Sequence, residues 1–203
     1  MTYLFSHPGR VGALLGEHIA LVAVALLIAL AVALPLGIIA ARKPRAASII
    51  LGTASVIYTI PSLALLALLT FVFGLGSLTA VIALALYAQL VLLRGIVAGL
   101  QGVDPALIDA ARGIGLTARQ AFLRVELPAA LPVMLAGLRV ASVTLVALAT
   151  VAGWIDAGGL GTLLFEGLRT SNPAKEIAAA LAAAVLAICV DAALRATERA
   201  VQS

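Results

Sequence analysis

Asp109, Ala110 and Ala111 are followed after three residues by Gly115 and, nine residues later, by Val125-Glu126-Leu127-Pro128. The chemistry open to this run is contact and orientation, not bond making. Asp104-Pro105 is an N-cap and first-turn signal, and residues 106–112 continue as good helix formers. Gly113 and Gly115 stop that helix. Thr117-Ala118-Arg119-Gln120 has the spacing of a capping box and opens a second helix, which Leu127-Pro128 is expected to close. Helix chemistry alone leaves two readings of this helix–turn–helix: a surface piece connecting its neighbours, or a docking element. Bond-making chemistry has no visible home elsewhere. There is no G-x4-G-K-[ST] phosphate loop, no G-x-S-x-G and no metal-binding His pair. Cys189 is a lone cysteine, and His7 and His18 lie outside any Cys or carboxylate cluster, so both are expected to be ordinary interface residues. No metal or other cofactor is expected, and the chain does not read as an enzyme.

The elements that hold this run are apolar. Of the 203 residues 64% are hydrophobic and 11% are charged, against about 25% charged in an ordinary soluble domain. No charge falls between Ala46 and Leu93 or between His18 and Ala41. A hydrocarbon core of about 30 Å takes about 20 apolar residues per helix, so the longer run holds two spans and the shorter one a third. The reading is an all-α integral membrane protein with five transmembrane helices, at 18–41, 48–73, 78–100, 131–154 and 174–194. They form one transmembrane domain over 18–199, preceded by a segment at 1–17 and followed by a tail at 200–203, with a connecting loop at 101–128. Glycines and hydroxyl residues at 73–79 turn the second span into the third. The first span is too long, and preceded by too little positive charge, for a cleavable signal.

Arg42, Lys43, Arg45, Arg94, Arg112, Arg119, Arg124, Arg139, Arg195 and Arg199 fall on one side of this arrangement, and Arg10, Arg169 and Lys175 on the other. The ten-to-three split predicts an external N-terminus and a cytoplasmic C-terminus and loop. The net charge of +4 is thus a statement about topology, and nucleic acid is not an expected partner. The lipid bilayer is.

The spacing from Asp109 to Pro128 resembles the cytoplasmic loop E-A-A-x3-G-x9-I-x-L-P of ATP-binding cassette importer permeases, with Asp109 for Glu and Val125 for Ile. Tyr58-Thr59-Ile60-Pro61-Ser62-Leu63, Val103-Asp104-Pro105, Leu131-Pro132-Val133 and Asp156-Ala157-Gly158-Gly159-Leu160-Gly161 are similar to the osmoprotectant, or quaternary-amine, branch of that family. The chain departs from the branch at Gln89, where Pro is usual, and at Gly95, where Asn is usual. The resemblance implies a bacterial inner-membrane permease subunit that works with a second permease copy or homologue, ATP-binding cassette ATPase subunits and an external substrate-binding protein. It implies transport of glycine betaine, choline or carnitine, the alternative being an amino-acid (methionine-like) importer or an ATP-independent channel. By position, Ala110 and Ala111 permit close approach of the ATPase. Asp109, Arg112, Arg119 and Arg124 orient it, Gly115 allows the turn, and Val125, Leu127 and Pro128 complete the motif.

Polar residues at membrane depth are the remaining candidates. Pro61 removes a backbone donor from the second span, and Tyr58, Thr59 and Ser62 bring hydroxyls to the same place. The site reads as a packing kink or as a stretch lining the substrate path, with Tyr87 able to face it from the third span. Gln89 suits lining or an interhelical hydrogen bond. Arg139 either snorkels or pairs, with Glu126 and Asp109 as possible partners. Gly158, Gly159 and Gly161, at the outer end of the fourth span, are candidates for an external turn or a re-entrant gate, and Gly95-x-x-x-Gly99 is read as packing.

Overall fold

The fold is described from a computed structural model that covers residues 2–202, with side-chain surroundings assigned for residues 3–200. It is helical, with no strand among the described residues. A short α1 (Thr2–Ser6) leads into α2 (Pro8–Arg42), whose 35 residues make it about 52 Å long at 1.5 Å per residue. Helix α2 therefore begins well before the apolar span, and the 1–17 segment is largely part of it. Pro44 opens α3 (Pro44–Thr59), which is followed by α4 (Ser62–Phe73). Helix α5 (Ser77–Gln101) leads through α6 (Pro105–Gly113), α7 (Ala118–Ala121) and a π-helical turn at Phe122–Glu126 into α8 (Leu127–Val151). A 3-10 turn at Ala152–Ile155, then α9 (Leu160–Arg169) and α10 (Pro173–Gln202) complete the chain.

Among the described residues, four helices are long and apolar enough to cross a membrane unbroken. The fifth expected span is not one rod: α3 and α4 bend through 98° at Ile60-Pro61. The cause is local. Proline drives its predecessor out of the helical region, and Ile60 (φ −68°, ψ 127°) and Pro61 (φ −55°, ψ 137°) are both extended. At about 18 Å, the 12-residue α4 is too short to span by itself.

Small residues let the long helices approach. Ala25, Ala29 and Ala33 of α2 and Ala141 and Ala149 of α8 are fully buried with Leu92, Leu93 and Ile96 of α5 and Leu145 of α8. A Cβ on Gly95 would lie 3.0 Å from the Gly137 Cα, and one on Gly99 would lie 2.8 Å from the Ala130 carbonyl oxygen. The Gly95-x-x-x-Gly99 pair is the α5–α8 contact, so the packing reading holds. The turn from α4 to α5 is where the glycines placed it, with Gly74 at φ +78° and Gly76 at φ +111°. Gly76 N–H donates to the Ile155 carbonyl at 2.8 Å, tying that turn to the far end of α8.

Candidate functional site

The loop that joins α5 to α8 is built from local bonds. Asp104 Oδ1 accepts from the Ala106 N–H at 2.9 Å and caps α6. Helix α6 ends in a Schellman motif: Leu116 N–H donates to the Ala111 carbonyl at 3.1 Å and Gly115 N–H to the Arg112 carbonyl at 2.9 Å. Gly115 sits at φ +87°, in the left-handed region the motif requires. The Thr117–Gln120 capping box is complete, with the Thr117 N–H donating to Gln120 Oε1 at 2.9 Å and the Gln120 N–H to Thr117 Oγ1 at 3.3 Å.

The second helix does not stop at Leu127-Pro128. Helix α7 passes through the π turn directly into α8, the Leu127 N–H bonding the Phe122 carbonyl across the wide turn. A proline ring would strike the carbonyl four residues back in a regular helix; the wider turn accommodates Pro128 without ending the helix. Residues 118–155 thus form one continuous run of helix, so α7 and α8 are joined without a break.

Asp109, Ala110, Arg112, Gly115, Arg119, Arg124 and Pro128 are exposed, Val125 and Leu127 are half-buried, and Ala111 is buried. Two apolar side chains that the sequence reading passed over stand out beside them: Leu107 is 50% and Ile114 is 79% exposed. With Ala110 they lie at i, i+3 and i+7, on one face of α6 and its C-cap. The signal was present in the sequence as an apolar stripe on a helix flanked by charge.

Glu126 and Arg42 were also missed as a pair. Glu126 is buried, and its Oε2 takes a hydrogen bond from Arg42 Nη2 at 2.5 Å; the Arg42 guanidinium lies 5.5 Å over the Phe122 ring. Glu126 is therefore not the partner of Arg139, and neither is Asp109. Arg139 pairs instead with Asp191 at 3.1 Å and Glu198 at 3.4 Å, both on α10.

At the break in the second span, Tyr58, Thr59, Pro61, Ser62 and Tyr87 are brought together. The Tyr87 hydroxyl donates to the Ile60 carbonyl, the acceptor freed by the break, and the ring is buried. Tyr58 meets it edge-on, with centroids 5.9 Å apart, and Thr59 Oγ1 donates to the Val56 carbonyl at 2.7 Å. Tyr58, Thr59 and Pro61 remain open on the outer face. Gln89 lies apart from this group. Its Nε2 donates to the Ala29 carbonyl of α2 at 3.1 Å, the interhelical bond expected, while its buried Oε1 has no partner.

At the opposite end of α8, Gly158 (φ +88°) and Gly159 (φ +70°) turn the chain into α9. Glu17 Oε2 accepts the Gly159 N–H at 2.9 Å. A Cβ on Gly153 would lie 2.2 Å from the Gly161 carbonyl carbon, so the two backbones touch. His18 is fully buried here, its Nε2 3.1 Å from the Val146 carbonyl oxygen, and is not the interface residue expected. Further out, Glu166 bridges Arg10 at 2.5 Å and Lys175 at 2.6 Å. The hydrogen bond from Lys175, aided by the Arg10 charge, holds the Glu166 carboxyl below its ordinary range.

Bent second span, small-residue helix contacts and a capped loop between the third and fourth spans define a class. The family model for the binding-protein-dependent transport system inner membrane component matches residues 33–203, and the chain belongs to that family of multi-pass inner-membrane transport permeases. More particularly, it is similar to the carnitine transport permease protein OpuCB of Listeria monocytogenes, with 40% identity over 178 residues, 88% of this chain and 82% of that one. It is 36% identical over 199 residues to the glycine betaine/carnitine/choline transport system permease protein OpuCB of Bacillus subtilis, covering 98% and 92% of the two chains. The osmoprotectant import permease protein OsmW of Salmonella typhimurium is 39% identical over 194 residues, 93% and 90% of the two chains. The fold is shared with a chain of the MetNI methionine ABC transporter in an inward-facing conformation, at a TM-score of 0.82 and 22% identity over 94% and 95% of the two chains.

Proposed function

We propose that this chain is the permease subunit of an ATP-driven importer for quaternary-ammonium osmoprotectants such as glycine betaine, choline or carnitine. The observation that carries the coupling half of this reading is the loop: a self-capped helix on a Schellman turn, fused through the π turn to a long apolar helix. A separate ATPase subunit docks on the face made by Leu107, Ala110 and Ile114, oriented by Asp109 and by the arginines at 112, 119 and 124. Gly115 sets the angle of α6 against α7, and Val125, Leu127 and Pro128 lie where the docked surface passes into the membrane helix. Closure of the ATPases tilts α7 and α8 as one piece, and alternating access follows from the two positions of that rod.

The substrate half is supported by the names of the relatives at 36–40% identity. The path runs past the break in the second span. Non-helical backbone at membrane depth persists only where protein or a water-filled cavity covers it, and Thr59 and Pro61 are exposed in the single chain. A second permease copy or a homologue covers that side, with Tyr58, Thr59, Pro61 and Ser62 facing the space between. Tyr87 supports the break from behind, and Gln89, set apart from it against α2, keeps one free acceptor. The positive-inside split supports an external N-terminus and a cytoplasmic C-terminus, so the Gly158, Gly159 and Gly161 turn lies outside, where a binding protein delivers substrate.

The test is reconstitution in proteoliposomes with the cognate ATPase and binding protein, measuring ATP-dependent uptake of labelled carnitine, choline, glycine betaine and methionine. Uptake of at least one quaternary amine and none of methionine is expected. ATP-driven methionine uptake alone would move the chain to the amino-acid reading, and uptake without ATP to the channel reading.

A further inference from the structure

Residue 126 is the unspecified position in the loop motif, between Val125 and Leu127, yet it holds a buried charge. The Glu126 side chain is 6% exposed, and its partner Arg42, 46% exposed, is the last residue of α2. Burying the Glu126 carboxylate is a costly way to gain stability, because its desolvation offsets much of the attraction to Arg42. Its geometry fixes one particular junction. Phe122 and Glu126 bracket the π turn, and Arg42 engages both, the ring by its guanidinium face and the carboxylate by a hydrogen bond. One residue further on, the chain turns at Lys43-Pro44 into α3 and so toward the broken span. From α5 a longer bond also reaches this end of α2, Gln101 Nε2 donating to the Ala41 carbonyl at 3.3 Å.

From this geometry we infer that the Arg42–Glu126 pair is the joint that carries loop movement into the first span and the corner leading to α3. The α7–α8 rod moves with the loop because they are one helix. Helix α2 has no such continuity with the loop: it packs against α5 and α8 through small apolar residues, and at the loop end the bonds through Arg42 tie it to the π turn. Both are positioning residues: neither touches substrate, and each acts through the helix it holds. The inference rests on the proposed docking of an ATPase on α6, and its test separates the two.

Glu126→Gln and Arg42→Gln keep bulk and remove one charge each; Arg42→Glu/Glu126→Arg restores the pair reversed. A further variant, Arg42→Cys/Glu126→Cys on a Cys189→Ala background, allows the two positions to be bridged by a short bifunctional thiol reagent. Each is assembled with the ATPase and binding protein, and three quantities are read: ATPase co-purification, ATP hydrolysis, and substrate taken up per ATP hydrolysed. The single variants are expected to retain the ATPase and hydrolyse ATP while uptake per ATP falls about tenfold or more, within the usual span of coupling energies. The reversed pair and the bridged cysteines are expected to recover uptake per ATP. Uptake per ATP within twofold of wild type in the single variants would overturn the joint. So would failure of both single variants to fold and assemble, which would make the pair a structural support only. Failure of the wild-type chain to retain the ATPase would instead overturn the docking reading.

Discussion

The two ends of α8 both turn on glycine, and for opposite reasons. At the loop end, Gly115 has a positive φ, and a Cβ built on it would meet nothing within 4 Å. At the other end, Gly153 and Gly161 have ordinary backbones and no room: a Cβ on Gly161 would lie 2.3 Å from the Thr150 carbonyl oxygen. The first glycine serves conformation and the second serves contact. Bonding follows the same division. The loop is capped by its own residues, none more than five positions away, whereas the α9 N-terminus lacks a side-chain cap of its own and relies on Glu17, 142 positions distant. A locally bonded element moves as a unit without losing bonds; a tertiary-bonded one moves only with its neighbours. The contrast separates a loop held by its own bonds from a far end held by its neighbours.

Gly161→Val would break the contact most severely. Its methyl groups meet backbone that cannot step aside, so about 3 kcal/mol or more is expected. Loss of folded protein in detergent, read by size-exclusion and thermal melting, checks this; a melting temperature near wild type would mean the two backbones separate freely. Glu17→Leu removes a charged acceptor from the Gly159 N–H and is expected to cost about 2 kcal/mol, read as a lower melting temperature. Gly115→Ala tests the other end: at positive φ it costs about 1 kcal/mol, with no clash. If Gly115→Ala destabilises more than Gly161→Val, the division between conformation and contact is wrong.

The smallest effect is expected from acid. Because the Glu166 carboxyl is held below its ordinary range, its pairing with Lys175 and Arg10 contributes fully above the ordinary carboxylate pKa and is lost as pH falls through the depressed one. The far end should therefore loosen as the pH falls below the ordinary carboxylate range. Glu166→Gln is expected to abolish that part of the acid response while leaving the melting temperature at neutral pH within a few degrees of wild type, since surface pairs are weak.

What the sequence revealed follows this division too. Asp104, Pro105, Gly115, Thr117 and Gln120 act within a few residues of one another, so the spacing predicts the loop's caps and turn. Pro61 gives the place of the break but not its 98° angle or the partner of the freed Ile60 carbonyl, which is Tyr87, 27 residues away. Contacts between distant segments were the least legible. Arg42 and Glu126 are 84 residues apart, and Arg139 and Asp191 are 52 apart. Which face of a helix each occupies is set by packing, not by the pattern of charge along the chain. The π turn was hidden for a similar reason: Leu127-Pro128 looks like a stop, and only the widened turn lets the helix continue. His18 was misread because one imidazole at the head of an apolar run looks the same whether it meets lipid headgroups or Val146.

The central claim is that the loop from Asp104 to Glu126 is where an ATPase takes hold. Gly115→Asp places a charged side chain on the open side of the turn, where it disturbs no packed neighbour, so the permease itself is expected to fold. The account predicts that this variant, purified at a normal level, loses co-purification of the cognate ATPase together with ATP-dependent uptake. Retention of both would contradict it.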